Sequence, residues 1–220
     1  MRPPQIAVLA VAALVVLGLL AHAARGGPSK PGDGISDEQR RAGLTFEGDV
    51  APADREWVRA AIASVRPEAR RLIDEVDGLV AIKTGTVGDG GPMGYAQRVG
   101  PHRYTVWLNV GKLDGERYRD RNVVVVHELG HVIDGELIDD QLAAKLDAGI
   151  PRGDHCDVQD GVEYGSCAVP QERLADTFAK WALNGAVSAV GSGYALATPA
   201  SLEDWGRPLG ELALSLPPLT

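Results

Sequence analysis

The chain has 220 residues, 45% of them hydrophobic, 24% charged and 5% aromatic, with a formal net charge of −8. That length suits one ordinary domain with a tail, and this apolar content excludes wholesale disorder. The 22 basic and 30 acidic side chains form no basic stripe, which argues against nucleic acid and anionic membrane surfaces as partners. The N-terminus opens with Met1, Arg2, Pro3, Pro4 and Gln5, and no polar side chain follows from Ile6 to Ala21. Such a run lies between the length of a signal-peptide core and that of a membrane span. Ala21-His22-Ala23 has the small-x-small form of a cleavage site. Residues 1–24 are therefore read as a signal peptide or an N-terminal membrane anchor. Either one places the remainder outside the cytoplasm, secreted or held at the outer face of the membrane. Residues 25–36, rich in Gly and Pro, read as a flexible linker. Residues 37–215 read as one domain and 216–220 as a tail.

Within the domain, Trp57, Ala61, Ile62 and Val65 lie at helical spacing over Asp54–Val65, and Pro67 restarts a helix that runs to Val76. Leu79–Thr84 and Tyr104–Val110 have the β-branched and aromatic alternation of strands. The Gly-rich stretch Gly85–Gly100 between them lacks a phosphate-binding pattern and reads as a long hairpin loop. Val123–Val126 alone suggests a strand, but the residues after it have meaning only on a helix, which places one at Arg121–Ile133. Further helices are expected at Gln141–Ala148, Gln171–Leu183 and Glu203–Ser215. Gly149–Val169 reads as a long loop holding both cysteines.

The residues that force the helix are His127-Glu128-Leu129-Gly130-His131, an HExxH motif. Positions i and i+4 share one helix face, so both imidazoles can converge on one metal ion. Glu128, one residue on from the first ligand, can reach a metal-bound water and take its proton. Gly130 between the pair permits close approach of another backbone or of substrate. Two adjacent imidazoles behind four Val would be costly without a partner. A third protein ligand is required. The metzincin spacing is excluded, because Asp134 and Leu137 stand where Gly and His would be needed. The other arrangement takes a Glu from a later helix in the form ExxxD. Glu172-Arg173-Leu174-Ala175-Asp176 has this form. Glu172 is thus the candidate third ligand, with Glu163 and Asp176 in reserve. Asp176, one turn on, could accept a hydrogen bond from a ligand imidazole and fix its tautomer.

VVVVHELGHVID followed by ERLADTFAKWAL resembles the gluzincin zinc metallopeptidases, in particular the catalytic domain of anthrax lethal factor and its secreted relatives. Glu172, Ala175, Asp176 and Phe178 fill that group's E-x-x-A-[ED]-x-F form. The resemblance spans roughly residues 100 to 183. It implies an α+β zincin-like fold: a small mixed sheet, an active-site HExxH helix and a second helix carrying the Glu ligand. It further implies one Zn2+ and hydrolysis of peptide bonds, with Glu128 as general base. It also makes Tyr164 the candidate residue over the active site, as donor to the oxyanion. In zincins the strand before the HExxH helix forms the rim of the cleft and pairs with an extended substrate along its edge, a role that would fall to Tyr104–Asn109, which reads equally as an ordinary core strand.

Cys156 and Cys167 are the only cysteines, and in an exported chain one disulfide is the default. His102 and His155 read as surface residues with a possible second role as oxyanion donors. Asp154, Asp157 and Asp160 read as a solvated acidic loop. The expected partner is a peptide or protein substrate, with membrane contact only through an uncleaved N-terminal segment, and a monomer is expected. Two other readings keep the same site: an amidase acting on cell-wall peptides, and a zinc-stabilised extracellular binding domain without turnover. An intact Glu128 counts against the last, since a purely structural site does not need it.

Overall fold

The computed structural model describes residues 32, 34–86, 92–113, 121–153, 156–159, 162–185 and 196–218. Residues 1–24, with the signal or anchor expected there, lie outside the described residues. Among the described residues no helix is long and apolar enough to cross a membrane.

Helix α1 (Asp37–Ala42) is followed by the two-residue strand β1 (Thr45–Phe46). Periodicity gives no hint of α1, because it buries nothing. Its signal is the Ser36–Gln39 capping box, in which both reciprocal bonds are made. Helices α2 (Pro52–Ala63) and α3 (Pro67–Val76) each begin with Pro in the first turn, where its missing N–H costs nothing. A 3-10 turn at Asp77–Leu79 leads into β2 (Val80–Gly85). Strands β3 (Gly94–Gly100) and β4 (Arg103–Asn109) form a hairpin, and the short helix α4 (Val110–Leu113) follows. Helix α5 (Asn122–Leu137) carries the HExxH motif, and α6 (Asp140–Ala148) is capped by the Asp139 side chain. Strands β5 (Cys156–Gln159) and β6 (Val162–Gly165) precede α7 (Pro170–Ala182) and α8 (Leu202–Ser215).

The fold is mixed α+β around a small mixed sheet of order β1-β2-β4-β3, parallel except for the antiparallel pair β3–β4. Its inner face buries Val80, Ile82, Tyr104, Val106 and Leu108. Helix α5 lies against β3 and β4, α2 and α3 pack on α5, and α7 makes the most extensive helix contact with it. All four residues Val123–Val126 are buried. This explains why a β-branched run is helical. Burying each Val is worth about 1.5–3 kcal/mol, whereas its helix propensity costs at most about 0.7 kcal/mol. Packing therefore outweighs propensity.

Three expectations need correction. Gly85–Gly100 is not one long loop: residues 94–100 are an edge strand, and residues 87–91 lie outside the described residues. Glycine punctuation concealed a strand whose pairing comes from across the sheet, where Tyr95 stacks on Trp107 with ring centroids 5.7 Å apart. The stretch Gly149–Val169 is likewise not all loop, since β5 and β6 form a second, two-stranded sheet in which Cys156 pairs with Gly165. The expected Cys156–Cys167 disulfide is present and closes the base of this hairpin. Finally, Tyr104–Asn109 is the core strand of the two readings and not an edge. As β4 it is hydrogen-bonded on both sides, and β3 is the edge strand beside the motif helix.

The far end of α5 is fixed to the sheet through one carboxylate. The Glu136 side chain is 2% exposed. It accepts hydrogen bonds from Arg98 Nη2 at 2.9 Å and Tyr104 Oη at 2.8 Å, and lies 2.6 Å from His102 Nδ1. Burial and the Glu136 carboxylate both push the Tyr104 hydroxyl pKa upwards, so it remains a donor.

Candidate metal centre

The helical register places His127 and His131 one turn apart with ring centroids 4.8 Å from each other. What completes the site is the approach of α7. At Gly130, between the two histidines, an added Cβ would lie 3.2 Å from Ala175 Cα and 3.1 Å from Phe178 Cδ1. The absence of a side chain there lets α7 come close, as the sequence suggested for this glycine. Glu172, one turn before Ala175, is thereby carried onto the imidazole pair. Its Oε2 lies 3.1 Å from His127 Nε2 and 3.3 Å from His131 Nε2.

These three residues offer ligand atoms that all lie within 4.8 Å of one another. Metal–ligand distances of about 2.0–2.1 Å in a tetrahedral site would separate ligand atoms by about 3.3–3.4 Å, close to the two spacings observed. A pair of imidazole nitrogens with one carboxylate oxygen suits a divalent ion of intermediate softness. The three residues therefore fit a metal, as predicted, and the structure does not itself identify the ion. Exposure rises from 8% at His127 to 20% at His131 and 27% at Glu172, so the group opens to solvent on the Glu172 side.

No protein-family model, curated protein or solved structure matches this chain.

The electrostatics of the group are those of two imidazoles sharing a carboxylate. Burial works against a charged His131, but Glu172, Glu128 and Asp134 prevail and raise its pKa to about 9. Burial also works against an ionised Glu172, and the two imidazoles outweigh it, holding that carboxyl well below its usual range. Glu128 lies outside the three-ligand group. Its carboxyl is pushed up by burial, with His127, His131 and a hydrogen bond from the Ala96 N–H pulling the other way. One of its oxygens, Oε2, is buried with no hydrogen-bond donor among the described residues.

Asp176, also fully buried, pairs with Lys180 Nζ at 2.8 Å, and Lys180 donates to the Leu196 carbonyl at 2.8 Å. This pair stiffens α7 one turn beyond Glu172. Of the reserve ligands, Glu163 stands exposed on β6, and Asp176 is engaged with Lys180. Tyr164 is on β6 opposite Asp157, and its side chain lies outside the described residues. His155, Asp154 and Asp160 also lie outside them. His102 is not placed as an oxyanion donor, because its ring is committed to Glu136.

Two features of the site escaped sequence reasoning. Arg173, beside Glu172, is fully buried. Its Nε donates to Asp147 Oδ1 at 2.7 Å, and its Nη2 reaches the carbonyls of Asp147 and Ile150. It thus ties the ligand-bearing turn of α7 to the end of α6. A charged residue inside an amphipathic helix pattern gives no sign of such burial. The second is β3, whose Gly94 lies against the Glu128 carboxylate.

Proposed function

We propose that this protein is a zinc-dependent peptidase of the zincin type, acting outside the cytoplasm on peptide or protein substrates. The observation that carries the reading is the separation of roles within one cluster. Three side chains converge on a common point, and a fourth, Glu128, stands outside that group with one buried oxygen that has no donor among the described residues. A site serving stability alone has no use for that fourth group.

His127, His131 and Glu172 would hold the ion. A bound zinc ion supplies a Lewis acid and makes its water far more acidic. Glu128 contributes the proton acceptor. Its place beside the imidazole pair but outside the three-ligand group suits a group that takes a proton and hands it on to a leaving amine. Arg173 and the Asp176–Lys180 pair keep Glu172 in place by fixing both ends of its turn. Tyr164 is the candidate donor to the developing oxyanion. Export is supported by the apolar segment Ile6–Ala21 and by the disulfide.

The test is metal analysis of the purified protein, followed by turnover of casein and of a peptide library before and after chelation. The reading requires one zinc per chain and cleavage that is lost with chelator and restored by zinc. Cleavage that survives complete metal removal would overturn it, as would a zinc-loaded protein inert towards every peptide.

A further inference from the structure

We infer that the edge strand β3 positions Glu128: Gly94 leaves the gap in which the carboxylate lies, and the Ala96 backbone N–H is turned away from β4 and left out of the ladder. This rests on the peptidase reading for its catalytic consequence, though not for its geometry.

The geometry begins with the hairpin register. Met93 accepts a hydrogen bond from the Asn109 N–H at 2.8 Å. In an antiparallel pair the backbone groups of alternate residues face the partner strand. Residues 93, 95 and 97 therefore direct their N–H and C=O groups at β4, while 94, 96 and 98 direct theirs away from it. Ala96 is thus free of ladder duty, and its N–H, turned away from β4, favours the charged form of Glu128. Two residues earlier, a Cβ added at Gly94 would lie 2.9 Å from Glu128 Oε1 and 3.1 Å from its Cγ. It would also lie 3.0 Å from Val124 Cγ1. Gly94 is not among the glycines of positive φ. Its backbone would accept alanine, but the added methyl would have to displace the carboxylate.

The arrangement has a chemical purpose. A carboxylate next to two histidine ligands can itself become a ligand, and it would then no longer be available as a base. Bordering it with a strand outside the ligand group would keep it beside a bound ion without letting it join the ligands. Such preorganisation matters because displacement of a reacting group by about 1 Å can cost 10²-fold in rate. Gly94 and Ala96 are positioning residues, acting only through Glu128.

The experiment is a double-mutant cycle on the full, zinc-loaded protein with Gly94→Ala and Glu128→Gln. Two readouts are used: turnover of fluorescent casein, and binding of acetohydroxamic acid, a zinc chelator whose proton a nearby carboxylate can accept. Gly94→Ala should retain one zinc per chain and lower kcat about 10- to 100-fold, with KM changed less than about twofold. It should weaken acetohydroxamate binding about tenfold, roughly the worth of one hydrogen bond to a charged group. In the Glu128→Gln background it should have no further effect on either readout, because its target is already gone. If Gly94→Ala fails to fold, the same cycle is run with Val124→Ala added, which removes the other atom the new methyl would meet. Equal losses in both backgrounds, or no loss in either readout, would overturn the inference. If wild type cleaves no peptide yet the acetohydroxamate cycle shows full coupling, the positioning of Glu128 stands and the peptidase reading falls.

Discussion

Glu128 and Glu136 lie on the same helix, eight residues apart in sequence and both nearly out of water. Their surroundings differ completely. Glu136 is surrounded by Arg98, His102 and Tyr104, all within hydrogen-bond distance of its carboxylate. Glu128 has one backbone N–H and one buried oxygen without a donor among the described residues. A buried carboxylate whose lone pairs are used is a structural tie. One with an oxygen left over loses stability in exchange for reactivity. Burial alone does not separate the two, whereas hydrogen-bond satisfaction does.

The largest expected effect tests that distinction directly. On the proposed peptidase reading, Glu128→Gln should keep the bound metal and the fold and lose turnover by about 10²–10⁴-fold. Its urea midpoint should be no lower than wild type, because the change removes a buried charge that burial itself opposes. Glu136→Ala should behave in the opposite way. It strands Arg98, His102 and Tyr104, and should cost about 2–4 kcal/mol in urea unfolding. Turnover per folded molecule should stay near wild type. A Glu136→Ala protein as stable as wild type would break the comparison.

Asp77 provides an intermediate case. Burial, then the neighbouring Asp74, raise its pKa to about 6, although the Gly78 and Leu44 N–H groups and Arg70 favour the charged form. The sign follows from linkage. A carboxyl that holds its proton more tightly when folded adds stability below its ordinary pKa of 3.8, and that stability is lost as pH rises through about 6. Asp77→Asn should therefore gain on wild type between pH 4 and pH 8, by about 1–2 kcal/mol after allowance for solvent screening. Urea midpoints of both proteins at the two pH values decide it, and parallel curves would rule it out. The smallest effect is for Tyr104→Phe, which removes one of three groups from Glu136. It should cost about 1 kcal/mol and leave zinc content unchanged, as thermal unfolding and metal analysis would show.

Much of the fold was legible in the sequence because its helices announce themselves. Pro67 and Val76 bound α3 as the sequence indicates, and the amphipathic pattern of Gln171–Leu183 is offset from α7 by one residue at each end. Strand β3 was not legible. Its glycines read as loop, yet Gly94 is small because the Glu128 carboxylate occupies the space beside it. The β5–β6 hairpin was hidden for a different reason. It is a short satellite ribbon closed by a disulfide and owes little to hydrophobic pattern. In the site, His127, His131 and Glu172 were all nameable from spacing and local form. The burial of Arg173 was not, since its partners Asp147 and Ile150 belong to another element.

By itself the sequence determined which side chains could share one helix face, because a helical repeat is a local property. It fixed His127 and His131 as neighbours and set Glu128 beside them. Only the tertiary structure decided that Glu172 meets that pair, that β3 is the edge strand beside the motif helix, and that Glu136 is engaged where Glu128 is not. Those facts depend on how closely two helices approach at Gly130 and on which backbone groups a strand leaves unused. Both arise from packing between segments far apart in the chain, which no local pattern encodes.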